Sequence, residues 1–138
     1  MEKIVRTGIS LEQSLLDKFD RIISKKGYHN RSEAIRDLLR DYVVGEDVKE
    51  NRVVVGTLTM VYDHHKPGLS GQLVSLQHDA RTNVLAATHV HLDHHNCLEV
   101  IIMKGESTEM NRFAAQILSL VGVKHGKLAV TTTGKDLS

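Results

Sequence analysis

The chain has 138 residues, a formal net charge of +1, 41% hydrophobic and 25% charged residues, nine histidines, one cysteine and no tryptophan. This composition excludes a disordered or low-complexity chain, and a single cysteine excludes an intramolecular disulfide framework. No apolar run approaches the ~20 residues of a membrane helix, and the first residues lack the apolar core of a signal peptide, so the expected location is the cytoplasm with no membrane partner.

At the N-terminus Thr7, Ile9 and Leu11 alternate with Arg6, Gly8 and Ser10, which predicts a short strand with one apolar face. Leu15, Leu16, Phe19, Ile22 and Ile23 then recur at helical spacing, and Gly27 after Lys25-Lys26 supplies a stop. A second helix opens with Asn30 as its N-cap and Glu33 three residues on, and carries an apolar stripe of Ala34, Ile35, Leu38, Leu39, Tyr42 and Val43.

Such a β-α-α unit is too small to bury a core alone, and its single strand lacks a pairing partner. Dimerisation solves both problems: two strands pair as an antiparallel ribbon and four helices supply the core. Arg6, Gly8 and Ser10 then face outward on a ribbon that fits the DNA major groove, where arginine pairs bidentately with guanine. The start of the second helix, at Asn30, Arg31 and Ser32, is placed to grip phosphate through its free backbone N–H groups. The plain alternative is a dimerisation arm whose outward face is merely solvated. The strand, the helix and then Gly27-Tyr28 with Asn30 through Asp37 resemble the ribbon-helix-helix family of DNA-binding repressors. That resemblance implies a DNA-binding domain over residues 1–44.

Residues 45–51, a short polar stretch, are expected to be a linker to a second domain over 52–138. The split separates two chemistries: residues 1–44 carry nine Lys/Arg against seven Asp/Glu, whereas the remainder holds eight of the histidines and the cysteine. From Val53 onward the pattern is strand to Tyr62, helix with Leu69, Leu73 and Leu76 inward, and strands over 84–92 and 97–104. A helix over 107–120 and a strand over 123–131 complete the βαββαβ order. This is the ferredoxin-like arrangement, an antiparallel sheet with helices on one face. The predicted class is therefore α+β, and the uncovered sheet face is a natural place for subunits to meet.

The hairpin between the second and third strands of this domain holds the most informative residues. A turn centred on His94 sets His91 opposite Cys97 and His89 opposite Glu99, with Val90, Leu98 and Val100 on the other face. Two imidazoles and a thiolate make a borderline-soft donor set suited to Zn, Cu or Ni rather than Mg or Ca. Glu99 is a candidate partner for an imidazole N–H. A fourth position is left to water or to another side chain, for which His78 at the margin of the first helix's apolar stripe is the best candidate; spacing leaves open whether it reaches the site within its own chain.

Gln77-His78, His89-Val90-His91, Cys97-Leu98-Glu99-Val100 and Gly122-Val123-Lys124-His125-Gly126, following the N-terminal unit, are similar to the nickel-responsive repressors of the NikR family. The resemblance implies an ACT-like second domain at the core of a homotetramer, a dimer of dimers flanked by two DNA-binding dimers. It implies one Ni(II) per subunit, held in a square plane by His89, His91 and Cys97 of one subunit and His78 of a neighbour, with Glu99 and Gln77 supporting the ligands. It implies an additional monovalent or weak divalent cation near the domain boundary at Glu33 and Asp37, and a repressor that binds two half-sites of double-stranded operator DNA and controls nickel uptake. Gly8 departs from the Thr or Ser common in the family, so the operator sequence is expected to differ. His64, His65, His94, His95 and His125 are left without a role. The alternatives are the same architecture sensing Cu, Co or Zn, a zinc hydrolase with Glu99 as base, and an antitoxin-like DNA-binding protein that explains only the first third of the chain.

Overall fold

A computed structural model describes residues 2–80, 82–135 and 137. They divide into two compact units, one ending at Val43 and the other spanning Val44–Lys135.

The first unit is an N-terminal segment without regular secondary structure, followed by α1 (Gln13–Lys25) and by α2, which starts at Arg31. Gly27 has φ +88°, a conformation only glycine adopts freely, and it closes α1: its N–H donates to Ser24 C=O and that of Tyr28 to Ile23 C=O, both at 3.1 Å. Asn30 Oδ1 accepts the Glu33 backbone N–H at 2.9 Å, the N-cap bond expected for α2. Only Ile23 and Ala34 of the two helices are buried, while Leu15, Ile22, Leu38, Leu39 and Tyr42 stand exposed.

The expected strand at Arg6–Leu11 is not paired into a sheet within the single chain. The reason is topological, because no second strand exists in this unit to accept its hydrogen bonds. Thr7, Ile9 and Leu11 nevertheless line a groove of about 580 Å³ with Leu16, Phe19 and Ile35.

Arg31 forms a bidentate pair with Asp20, Nε to Oδ1 at 2.8 Å and Nη2 to Oδ2 at 2.7 Å. These bonds hold the Asp20 carboxyl below its usual range. A depressed carboxylate contributes stability above its unfolded pKa and loses it as pH falls through the folded value. Asp20→Asn is therefore expected to lower the urea midpoint at pH 7 and to have no effect once the solution is more acidic than the folded pKa. A penalty unchanged by acid would refute the pairing.

The stretch expected as a linker is largely helical, since α2 runs through Lys49. Its polar composition hid two local devices. Asn51 takes φ +58° and closes the helix, with its own N–H donating to Val48 C=O and the Arg52 N–H to Asp47 C=O. The Asn51 side chain also accepts the backbone N–H of Thr108 at 2.8 Å, and the Ser107 hydroxyl donates to Val48 C=O at 2.7 Å. The end of α2 thus belongs to the second unit, where Val48 packs on the core.

The second unit comprises β1 (Val53–Asp63), α3 (Leu69–Asp79), β2 (Asn83–His91), β3 (Asn96–Glu106), α4 (Ser107–Leu118) and β4 (Val123–Thr131). The sheet order is β2-β3-β1-β4, antiparallel throughout, which is the expected βαββαβ topology. Alternation decides which side chains meet the helices. Val54, Leu58, Met60 and Tyr62 of β1 and Cys97, Ile101 and Met103 of β3 are buried with Leu69, Leu73, Met110, Phe113 and Ile117. Gly56 leaves room for the Met110 thioether, which a Cβ there would overlap. On the opposite face Val61, Leu98 and Val90 form an apolar row across three strands.

Candidate metal centre

Register builds the site. Asp63 pairs with Asn96, Tyr62 with Cys97 and Cys97 with His91, so Tyr62, Cys97 and His91 share one face of three adjacent strands. His89 pairs with Glu99 one step along the same face. The hairpin register is the one the sequence predicts, and its turn is held by Asp93, whose Oδ1 accepts the backbone N–H groups of His95 and Asn96 at 2.9 Å. The Asn96 side chain, which donates to both Asp93 oxygens, and then these backbone bonds lower the Asp93 pKa to about 2.

Cys97 is fully buried, and its Sγ lies 3.3 Å from His91 Nδ1. Burial pushes the thiol above its usual pKa, with the charges of Asp93 and Glu99 adding to the shift. The third group at this point is His64. Because β1 ends opposite Asn96, His64 emerges beside the hairpin turn, and its backbone N–H donates to His95 C=O at 3.1 Å. Its ring centroid is 5.1 Å from that of His91. Among the described residues, His64, His91 and Cys97 form the cluster whose ligand atoms all lie within 4.8 Å of one another.

His64 Nδ1 is buried without a hydrogen-bond partner, an arrangement that costs about 1–3 kcal/mol unless something fills it. Burial, then the neighbouring histidines His65 and His91, lower the His64 pKa, which favours the neutral imidazole that ligation requires. One thiol and two imidazoles converging in this way fit a borderline-soft divalent ion such as Ni(II).

The other expected ligands sit differently. His89 has its ring centroid 5.4 Å from that of His91, but its Nδ1 is engaged at 3.0 Å by the Tyr62 hydroxyl, leaving Nε2 free. Tyr62 is buried and its pKa is pushed up to about 12, mainly by that burial, so it keeps its proton. The Glu99 carboxylate has its Oε2 buried and unpartnered. Burial raises the Glu99 pKa, opposed by the His89 charge and by Gln77. His78 is exposed on α3, outside the His64–His91–Cys97 cluster of its own chain.

His64 was visible in the sequence as half of a His-His pair, yet its use depends on which strand lies beside β3. The loop histidines His65, His94 and His95 gather beside it, with His65 Nε2 bonded to His94 C=O at 2.9 Å. In the first unit Glu33 and Asp37 stand one turn apart on α2, and Asp37 accepts the Tyr28 hydroxyl at 2.5 Å and Arg40 at 3.1 Å. Arg6, Gly8 and Ser10 are all exposed, with open space beside Gly8. Asn30 and Ser32 flank the Asp20-paired Arg31. No helix among the described residues is long and apolar enough to cross a membrane.

An N-terminal segment with two helices, followed by a βαββαβ domain that carries a thiol–imidazole cluster, fits a DNA-binding regulator governed by a metal. Residues 5–46 match the family model of ribbon-helix-helix proteins of the copG family, and residues 55–131 match that of the NikR C terminal nickel binding domain. A protein of Thermococcus onnurineus named as a candidate nickel-responsive regulator is 51% identical over 136 residues, 98% of this chain and 99% of that one. Proteins given the same name are 48% identical in Nitratidesulfovibrio vulgaris, over the whole of both chains, and 50% identical in Pyrococcus furiosus, over 97% and 98%. The chain belongs to the NikR family of nickel-responsive regulators. It is a transcriptional regulator and not an enzyme, which removes the hydrolase reading of His89, His91, Cys97 and Glu99.

Proposed function

We propose that this chain is a repressor of nickel uptake that binds operator DNA when Ni(II) occupies a site shared between subunits, one ion per subunit. His89, His91 and Cys97 of one chain and His78 of a neighbour would hold the ion, with Glu99 and Gln77 orienting the ligand face. The observation that carries this reading is the 3.3 Å approach of His91 to the buried Cys97 sulfur, with His89 one step along the same face. The exposure of His78, outside the thiol–imidazole cluster of its own chain, supports its use by another chain. Bound there, the ion supplies charge and directed coordination that fix the two chains against each other.

The remaining parts follow from unpartnered surfaces. Two copies of the N-terminal segment pair as a ribbon over the groove lined by Ile9, Leu11 and Phe19. The row of Val61, Leu98 and Val90 supplies an assembly face for a dimer of dimers. The ribbon presents Arg6, Gly8 and Ser10 to the major groove of each of two half-sites, while Asn30, Arg31 and Ser32 meet phosphate. The Asp20 pair orients Arg31 and, being exposed, is weak enough to yield to a phosphate. A further monovalent or weak divalent cation at Glu33 and Asp37 would have to displace the Tyr28 and Arg40 contacts to Asp37.

Titrating Ni(II) while measuring operator affinity tests the proposal, and an affinity indifferent to nickel refutes it. Since nitrogen and sulfur donors also suit Cu(II), Co(II) and Zn(II), the same titration with each metal decides which one is sensed. Arg6→Ala is expected to weaken operator binding by roughly 10- to 100-fold, the value of a bidentate base contact. Its effect on unrelated DNA is expected to be much smaller; an equal loss on both would assign Arg6 to phosphate.

A further inference from the structure

The proposed shared site does not use His64, yet His64 stands closest to the pair that site depends on. Its position is not an accident of a mobile side chain. The pairing of Asp63 with Asn96 and the bond from the His64 N–H to His95 C=O fix its backbone beside the hairpin. Its Nδ1 is buried and has no partner. By contrast His89 Nδ1 is held by Tyr62, and His78 lies outside the cluster of its own chain.

We propose that His64, His91 and Cys97 form a single-chain landing site for Ni(II), with His64 giving way to His78 of a neighbouring subunit when the shared site closes. This rests on the reading of His78 as the neighbour's ligand. The chemistry is ligand exchange without redox change: Cys97 gives up its thiol proton to solvent, and both histidines bind as neutral imidazoles. Such a site lets one chain capture the ion before the second subunit contributes, and it spares His91 and Cys97 from waiting unpaired for His78. The exchange then couples loading to assembly, because His64 leaves only where a neighbour's imidazole replaces it.

The test compares full-length wild type with His78→Ala, His64→Ala and the double variant, measuring Ni(II) affinity by chelator competition and the thiolate-to-metal absorption band. Circular dichroism of each metal-free protein verifies folding, and His64→Asn serves as a second variant that keeps a polar side chain. The expected result is that His78→Ala still binds Ni(II), with an absorption band altered from wild type. Adding His64→Ala, or His64→Asn, is expected to weaken that residual binding at least about tenfold, the loss of one good ligand interaction.

Equal affinity of His78→Ala and the double variants overturns the landing site. Failure of His78→Ala to bind Ni(II) at all also overturns it, while leaving His78 as an essential ligand. An unaltered absorption band in His78→Ala refutes the neighbour's ligand instead, and the comparison with the double variants still decides whether His64 holds the metal.

Discussion

Replacing Cys97 with serine is expected to weaken Ni(II) binding by at least about 100-fold, or about 2.7 kcal/mol, and to abolish nickel-dependent operator binding. The sulfur is buried with no exposed surface and lies at hydrogen-bond range of His91 Nδ1. Serine is only slightly smaller and can bond the same nitrogen, so the fold is retained and the loss falls on the donor set. A hydroxyl does not ionise as a thiol does when a metal arrives, and the remaining nitrogen donors form a harder, less charged site. Chelator competition gives the affinity, and thermal melting of the metal-free protein verifies that the core of Leu58, Met60 and Ile101 is intact. An affinity within about threefold of wild type would place nickel elsewhere.

Ile9→Asp is expected to separate DNA binding from metal binding. Ile9 is 64% exposed in the single chain and lines the groove with Phe19 and Ile35. In a ribbon dimer both copies become buried, each contributing roughly 1.5–3 kcal/mol. Losing them removes about 3–6 kcal/mol of association energy, a factor of about 10² to 10⁴, and the buried carboxylates add a further penalty. Operator binding is expected to disappear at concentrations where the wild type binds fully. The nickel absorption is expected to persist, because its ligands belong to a unit with its own core. An Ile9→Asp variant that binds operator like wild type would show that the N-terminal segment does not pair.

Both variants address features of different legibility. The His89/Glu99 and His91/Cys97 pairs could be inferred from the sequence because a hairpin couples residues a few positions apart. Two faces of contrasting chemistry then fix the register to one choice. The N-cap at Asn30 and the stop at Gly27 were legible for a similar reason, since each is a bond between neighbours in the chain. The end of α2 was not. Gly45–Asn51 has the polar composition of a linker, but Val48 and Asn51 are held by bonds from Ser107 and Thr108, which follow them by more than fifty residues.

The amino-acid sequence by itself determined the two-part architecture, the ribbon-forming segment and the hairpin that brings His91 to Cys97. Periodicity, caps and short-range register are local consequences of residue order. Only the tertiary structure decided which histidine completes the cluster within one chain. His64 belongs there because β1 lies beside β3 and ends opposite Asn96, whereas His78 stands exposed on α3, outside that cluster. Strand order and helix rotation are set by burial of the whole core, including Tyr62, Leu69, Ile101 and Phe113, and no spacing within a single motif encodes them.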